Sequence, residues 1–243
     1  DNGELYTSDK LSSSLINCIV QDKYGYIWIG TEYGLNKFDG YRFTTYFHDA
    51  KDSTSINNNT ISSFLVDKEG NLWVGSAKGL MRYDYEKNNF KRYHFASGRQ
   101  PRIYSIIESP KGDVLIGTAG YGLYRANKEH HTITLTPLSA EKDSNIFFTH
   151  IYYDKHKYLW QSSHLSTFCR FSLQGNKATC RNFKSPCGAP VAFMQHRPNT
   201  LLIVCMYGIL YYDYTTAKIA DAGYDFGSFA SNTTINNATF DRE

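Results

Sequence analysis

The chain has 243 residues, 41% hydrophobic and 16% aromatic, with a formal net charge of +3. That length is enough to bury a sizeable core. The weak charge, with Lys and Arg scattered along the chain, excludes a nucleic-acid binder. No apolar leader and no run of 18 apolar residues is present, so no direct membrane contact is expected of this chain.

In chain order, a short strand-like stretch over Gly3–Thr7 comes first, and then a phrase that is written twice. Asp22-Lys-Tyr-Gly-Tyr-Ile-Trp-Ile-Gly-Thr31 returns 45 residues later as Asp67-Lys-Glu-Gly-Asn-Leu-Trp-Val-Gly-Ser76. Asp22 aligns with Asp67, Gly25 with Gly70, Trp28 with Trp73, Gly34 with Gly79, and Phe38-Asp39 with Tyr83-Asp84. A third copy runs through Gly112-Asp-Val-Leu-Ile-Gly-Thr118, with Leu115 in the tryptophan place. A fourth holds Trp160, where Ser162 matches Gly75, and a fifth runs from Leu201 to Asp213, with Leu202 for Trp73 and Gly208 for Gly79. Ile235–Glu243 repeats Ile61–Glu69 and opens a sixth.

Each unit alternates with a period of two and is cut by Gly, Asn and Asp turns, which argues strand. The second unit predicts strands over residues 61–66, 71–76, 80–84 and 90–95, with turns at 67–70 and near Gly79. Four short antiparallel strands per repeat of this size predict an all-β chain, a β-propeller of four-stranded blades. About five and a half blades are present, an incomplete seven-bladed type: approximately 16–48, 61–95, 103–138, 146–184, 190–221 and the start of a sixth at 235–243, read as one partial propeller over 1–243. A β-solenoid usually has shorter repeats, and a sandwich would not repeat its sequence. Seven blades at about 44 residues would need roughly 310, so the chain is expected to be a fragment of a longer protein. Gly3–Thr7 is placed where the outer strand of a preceding blade would lie, which predicts an open or self-associating ring, with a homodimer expected.

The repeated residues have structural roles first. Asp22 and Asp67 accept backbone N–H groups in a tight turn, and Gly25 and Gly70 supply positive φ. Trp28, Trp73 and Trp160 are large enough to fill the wedge between blades.

These residues resemble the two-component regulator propeller, whose repeat reads D-x-x-G-x-[IL]-W-[IV]-G-[TS]-x-x-G-L-x-x-[YF]-D; Lys10-Leu-Ser-Ser-Ser-Leu-Ile-Asn17 is similar to the family's lead-in. The motif is strong in the first two repeats and degraded in the others. The resemblance implies the periplasmic sensor region of an inner-membrane hybrid histidine kinase. It also implies an oligosaccharide ligand from polysaccharide breakdown, and a partner in the remainder of the sensor kinase. No cofactor and no metal is expected.

No HExxH, GxSxG or phosphate-binding loop is present, so the chain reads as a binding module and not an enzyme. Glu32 and His164 lie in corresponding loops and His130-His131 are adjacent, but isolated acids and imidazoles are weak signals of catalysis. The alternatives are a propeller lyase resembling the streptogramin-inactivating type and a protein-interaction scaffold. With strands running inner to outer, the second-to-third and fourth-to-first strand loops open on one face. The candidate ligand residues there are Glu32, Tyr33, Lys78, Arg99, Arg102, Tyr121, His164 and Tyr207. Cys18, Cys169, Cys180, Cys187 and Cys205 show no zinc spacing; Cys169 and Cys180 flank a predicted hairpin, which leaves open either a disulfide or free thiols. The sequons at Asn58, Asn232 and Asn237 read as polar loop residues.

Overall fold

Runs of β-branched and aromatic residues, cut by glycine and Asx turns, settle into short antiparallel strands. The computed structural model describes residues 6–95, 97–127, 134–137, 148–163, 166–174 and 177–223. Its regular elements are all strands. The first blade holds β1 (Tyr6–Ser8), β2 (Ile16–Gln21), β3 (Ile27–Thr31), β4 (Gly34–Phe38) and β5 (Phe43–Tyr46), in the order β1-β5-β4-β3-β2. The second is β6 (Ile61–Val66), β7 (Leu72–Ser76), β8 (Gly79–Asp84) and β9 (Asn89–Tyr93); the third is β10 (Ile103–Glu108), β11 (Val114–Thr118), β12 (Leu123–Asn127) and β13 (Thr134–Pro137). The fourth is β14 (Phe148–Tyr153), β15 (Tyr158–Ser163), β16 (Thr167–Gln174) and β17 (Lys177–Lys184); the fifth is β18 (Pro190–Arg197), β19 (Thr200–Cys205), β20 (Gly208–Asp213) and β21 (Lys218–Asp221). The all-β class and the four-stranded blades predicted from the repeat are thus observed. The sixth repeat, His164, His130-His131, Asn232 and Asn237 lie outside the described residues.

The chain groups into two compact units, Asp1–Ala119 with Leu123–Pro137, and Gly120–Gly122 with Leu138–Glu243. In the first unit, Trp28 is fully buried, edge-on to Tyr83 of the second blade at 4.7 Å and stacked on Tyr46 at 5.8 Å. In the second unit, Trp160 meets Tyr212 of the fifth blade in the same edge-on way at 4.9 Å. Trp28 and Trp160 are the wedges between blades that their size predicts. Lys37, opposite Trp28 in the β3–β4 ladder, lies 4.0 Å over Tyr26, and Arg170, opposite Trp160, lies 4.0 Å over Tyr158. Burial lowers the pKa of Lys37, and the nearby Asp22 and Asp39 carboxylates partly restore it.

The motif aspartate does more than cap a turn. Asp22 Oδ1 accepts the Tyr24 and Tyr26 N–H groups at 2.9 and 3.1 Å, while Oδ2 accepts Trp28 Nε1 at 2.7 Å and the Tyr85 hydroxyl of the next blade at 3.0 Å. Asp67 holds Trp73 Nε1 at 2.8 Å and Asp154 holds Trp160 Nε1 at 2.6 Å. The six-residue spacing from Asp to Trp therefore satisfies the one polar atom of a fully buried ring.

Close packing between blades rests on a glycine hole and an isoleucine knob. A Cβ on Gly30 would lie 2.6 Å from Ile61 Cγ2 of the second blade, and one on Gly75 would lie 2.8 Å from Ile103 Cγ2 of the third. Each innermost strand also carries a register shift near its start, as at Ile16/Cys18, Ile61/Ser63 and Ile103/Ser105. The extra residue of this bulge reaches to the next blade: Asn17 Nδ2 donates to the Ile61 carbonyl at 2.8 Å, and Ser62 Oγ donates to the Ile103 carbonyl.

One expectation is corrected. Tyr6–Ser8 does not serve a preceding blade. It pairs antiparallel with β5 as a fifth, outer strand of the first blade, where the unpaired edge of β5 offers it hydrogen bonds. All five cysteines are free. Cys169 faces Asn182 and Cys180 faces Phe171 across the β16–β17 ladder. The two cysteines are therefore diagonal neighbours, with their thiols close enough to share a hydrogen bond.

Candidate functional site

The Gly-[Thr/Ser] pair that ends the second strand of the family motif builds the rim. Thr31 Oγ1 donates to the Gly34 carbonyl at 2.9 Å and accepts the Tyr33 N–H at 3.1 Å, closing the β3–β4 turn. Ser76 repeats this at the β7–β8 turn, accepting the Lys78 N–H at 3.0 Å. A residue upstream of each blade's inner strand then braces the turn: Ser12 Oγ lies 3.2 Å from Thr31 Oγ1, and Asn57 Oδ1 accepts Ser76 Oγ at 2.6 Å. Residues 32–33 and 78 are thereby presented at the same end of their sheets as the starts of β2, β6 and β10.

At that end the first unit gathers Glu32, Tyr33 and Arg102. Arg102 Nη2 is 4.0 Å from Glu32 Oε1, with both side chains more than a third exposed. Such a pair contributes little to stability. Arg102 Nε has no hydrogen-bond partner although the atom is buried, and its guanidinium lies 5.4 Å from the Tyr104 ring. Tyr33, the residue after Glu32, is 59% exposed, with its ring 5.5 Å from that of Phe47. Lys78 and Arg99 are exposed in the β7–β8 turn and the loop before β10. In the second unit, Tyr207 sits in the β19–β20 turn, 61% exposed, with its ring against Gly188, where a Cβ would come within 2.7 Å. Tyr121 lies half-buried in the β11–β12 turn and groups with the second unit.

Glu32 and Arg102 are brought together, as the loop reading allows, but their organiser was missed from the sequence. Asn17 Nδ2 donates both to Glu32 Oε1 at 3.0 Å and to the Ile61 carbonyl at 2.8 Å. Thr60 Oγ1 adds a bond to the Glu32 carbonyl at 3.2 Å. The one available signal was the alignment of Asn17 with Ser62, polar residues at the same repeat position. A carboxylate, a weakly engaged guanidinium and an open phenol ring can accept, donate and stack, the three contacts a hydroxyl-rich ligand needs. Among the described residues no group of three or more His, Cys, Asp or Glu could hold a metal ion.

The repeated blades, the interblade tryptophan wedge and the loop rim define a β-propeller. The family model described as two component regulator propeller matches residues 10–33 and 55–78, within the first two blades. The chain is 53% identical over 49 residues to histidine kinase P4 of Formosa agariphila, a match that spans 20% of this chain and 4% of that protein. Among solved structures, it resembles the extracellular domain of a protein assigned to the hybrid two-component systems of B. thetaiotaomicron. There the TM-score is 0.60 with 17% identity, covering 96% of this chain and 37% of that one. It also resembles virginiamycin B lyase from Staphylococcus aureus, with a TM-score of 0.66 and 17% identity over 90% of this chain and 73% of that one.

Proposed function

We propose that this chain is part of the extracytoplasmic, periplasmic sensor region of a hybrid two-component histidine kinase, and that it binds polysaccharide-derived oligosaccharides without catalysing their turnover. The observation that carries the reading is the rim itself: the family's own Gly-Thr turn presents an exposed Tyr33 directly after Glu32, which pairs loosely with Arg102. Similarity to a histidine kinase and to an extracellular two-component domain supports it. In this reading the kinase elsewhere in the same protein carries the signal to transcription, and pairing of two sensor regions supplies the homodimer.

The test is thermal unfolding against a panel of oligosaccharides, with Tyr33→Ala, Arg102→Ala and Tyr207→Ala in parallel. A ligand that binds only the folded chain stabilises it by about 2.7 kcal/mol at a hundredfold excess over its Kd. A rise in midpoint that is lost in the variants supports the rim as the binding face. A rise that survives them moves the site elsewhere, and no rise with any sugar refutes recognition by this chain. A second reading, a propeller lyase, has the likeness to virginiamycin B lyase in its favour. Turnover of a streptogramin B by the same protein would decide for it.

A further inference from the structure

The brace beneath the rim turn changes chemistry in the fifth blade. In the first blade, Ser12 packs over the turn glycine Gly34, where a Cβ would meet Ser12 Oγ at 2.9 Å, and its hydroxyl reaches Thr31 Oγ1 at 3.2 Å. In the second, Asn57 lies over Gly79 in the same way, 3.5 Å from a built Cβ, and bonds Ser76 Oγ at 2.6 Å. In the fifth, the residue over the turn glycine Gly208 is Cys187, whose Cβ would lie 3.0 Å from a Cβ there. The residue paired with Gly208, in the place of Thr31 and Ser76, is Cys205. Two thiols thus occupy the positions at which the first two blades make a direct side-chain hydrogen bond.

Ser185 brings them into one cluster. Its hydroxyl donates to Cys205 Sγ at 3.2 Å, lies 3.5 Å from Cys187 Sγ and accepts the Cys187 N–H at 3.3 Å. The Cys187 carbonyl in turn accepts the N–H of Tyr207 at 3.0 Å, and the Ala189 carbonyl accepts that of Met206 at 3.0 Å. The segment carrying Cys187 is therefore the shelf on which the Tyr207 turn rests. Cys205 is fully buried and Cys187 half-buried, so a reagent meets Cys187 first.

We propose that Cys187 and Cys205 form a reversible disulfide that replaces the rim-turn hydrogen bond of the first two blades and locks the turn bearing Tyr207. The Cys187 thiolate attacks a disulfide oxidant, such as glutathione disulfide or a dithiol–disulfide oxidoreductase, and one thiolate of that oxidant leaves. The Cys205 thiol, whose ionisation burial disfavours and the Ser185 hydroxyl only partly restores, then attacks as its thiolate the Cys187 sulfur and expels the second. Two electrons pass from the protein thiols to the oxidant, and the two thiol protons end on its released sulfurs. That the bond forms in the cell rests on the extracytoplasmic location proposed above; the exchange chemistry does not.

The experiment equilibrates the native chain in glutathione buffers of rising disulfide fraction, quenches with acid, blocks free thiols with a maleimide and digests with chymotrypsin, which cleaves after Phe193 between the two cysteines. The expected result is a Cys187–Cys205 cross-linked peptide, together with a higher unfolding midpoint of the oxidised chain. Both are lost in Cys187→Ser, which installs the residue of the first blade at this position and preserves folding. Ser185→Ala should slow the cross-link while leaving its final yield in place. Recovery of Cys187 as a glutathione adduct with Cys205 still a free thiol at every ratio overturns the proposal, and so does a Cys169–Cys180 peptide in its place. Glycan titration of the reduced chain reads the sensor function separately, so that the two ideas fail independently.

Discussion

The interblade glycine is the position at which the smallest change should do measurable harm. Gly75→Ala adds one methyl group, and its Cβ would lie 2.3 Å from Ser63 Oγ, 2.8 Å from Ile103 Cγ2 and 2.9 Å from Ile103 Cβ. Ser63 can rotate its hydroxyl away. Ile103 cannot yield as easily, because it is fully buried and its branched Cβ has one favoured rotamer. Overpacking of this kind costs about 1–3 kcal/mol. The loss of glycine's freedom in the unfolded chain offsets about 0.4–1 kcal/mol of that. Gly75 has no positive φ to complicate the sum. Taken at the middle of both ranges, the net destabilisation is about 1.3 kcal/mol, a fall of roughly 3–5 °C in midpoint for a chain of this size. Urea and thermal unfolding, followed by tryptophan fluorescence, measure it. Ile103→Ala alone should cost about 2–5 kcal/mol, and the double variant should cost less than the two single changes summed, because the clash is relieved. Additivity within about 0.5 kcal/mol, or no effect of Gly75→Ala, would refute the knob-and-hole account of blade packing.

Asp67→Ala strands the buried Trp73 indole N–H and removes the acceptor of the Glu69 and Asn71 backbone N–H groups in a partly exposed turn, and should cost about 2–3 kcal/mol in urea unfolding; Asp67→Asn, which keeps one oxygen acceptor, should cost less. Tyr85→Phe removes the hydroxyl that reaches Asp22 of the preceding blade at 3.0 Å, and is expected to lower stability by about 1 kcal/mol without changing the fold by circular dichroism. Burial holds the His150 pKa below its ordinary 6.5. The unfolded chain then binds this proton first as pH falls, so this residue costs no stability above pH 6.5 and lowers it progressively below that value until the folded pKa is reached. His150→Gln should flatten the fall in unfolding midpoint below about pH 6.5; an unchanged slope would show that another group carries it.

The strand pattern was readable because a half-exposed strand must alternate, and a turn must hold glycine or an Asx residue. The second repeat predicts strands at 61–66, 71–76, 80–84 and 90–95, and they form at 61–66, 72–76, 79–84 and 89–93. Trp28 and Trp160 were placed correctly as interblade wedges, since no other location hides so large a ring. Much of the rim was readable too. Glu32, Tyr33 and Lys78 occupy the turns assigned to them, because the Gly-Thr and Gly-Ser pairs close those turns through local bonds, and Tyr207 occupies the turn whose N–H the Cys187 carbonyl accepts.

What the residues alone could determine was therefore local and periodic: strand, turn, blade and the loop that each candidate occupies. Contacts between repeats, and between strands and lead-in segments of one blade, were decided only by tertiary structure. Asn17 became the organiser of Glu32 because a bulge in β2 turns its side chain toward the carbonyl of Ile61, 44 residues away. Arg102 met Glu32 because the third blade stacks on the second and the second on the first. Cys187 and Cys205 share the Ser185 hydroxyl because one lies upstream of an inner strand and the other ends its neighbour. Such pairs carry no spacing signal in one chain. Their separation along the sequence is set by the length of a blade, and their distance in space by how the blades pack.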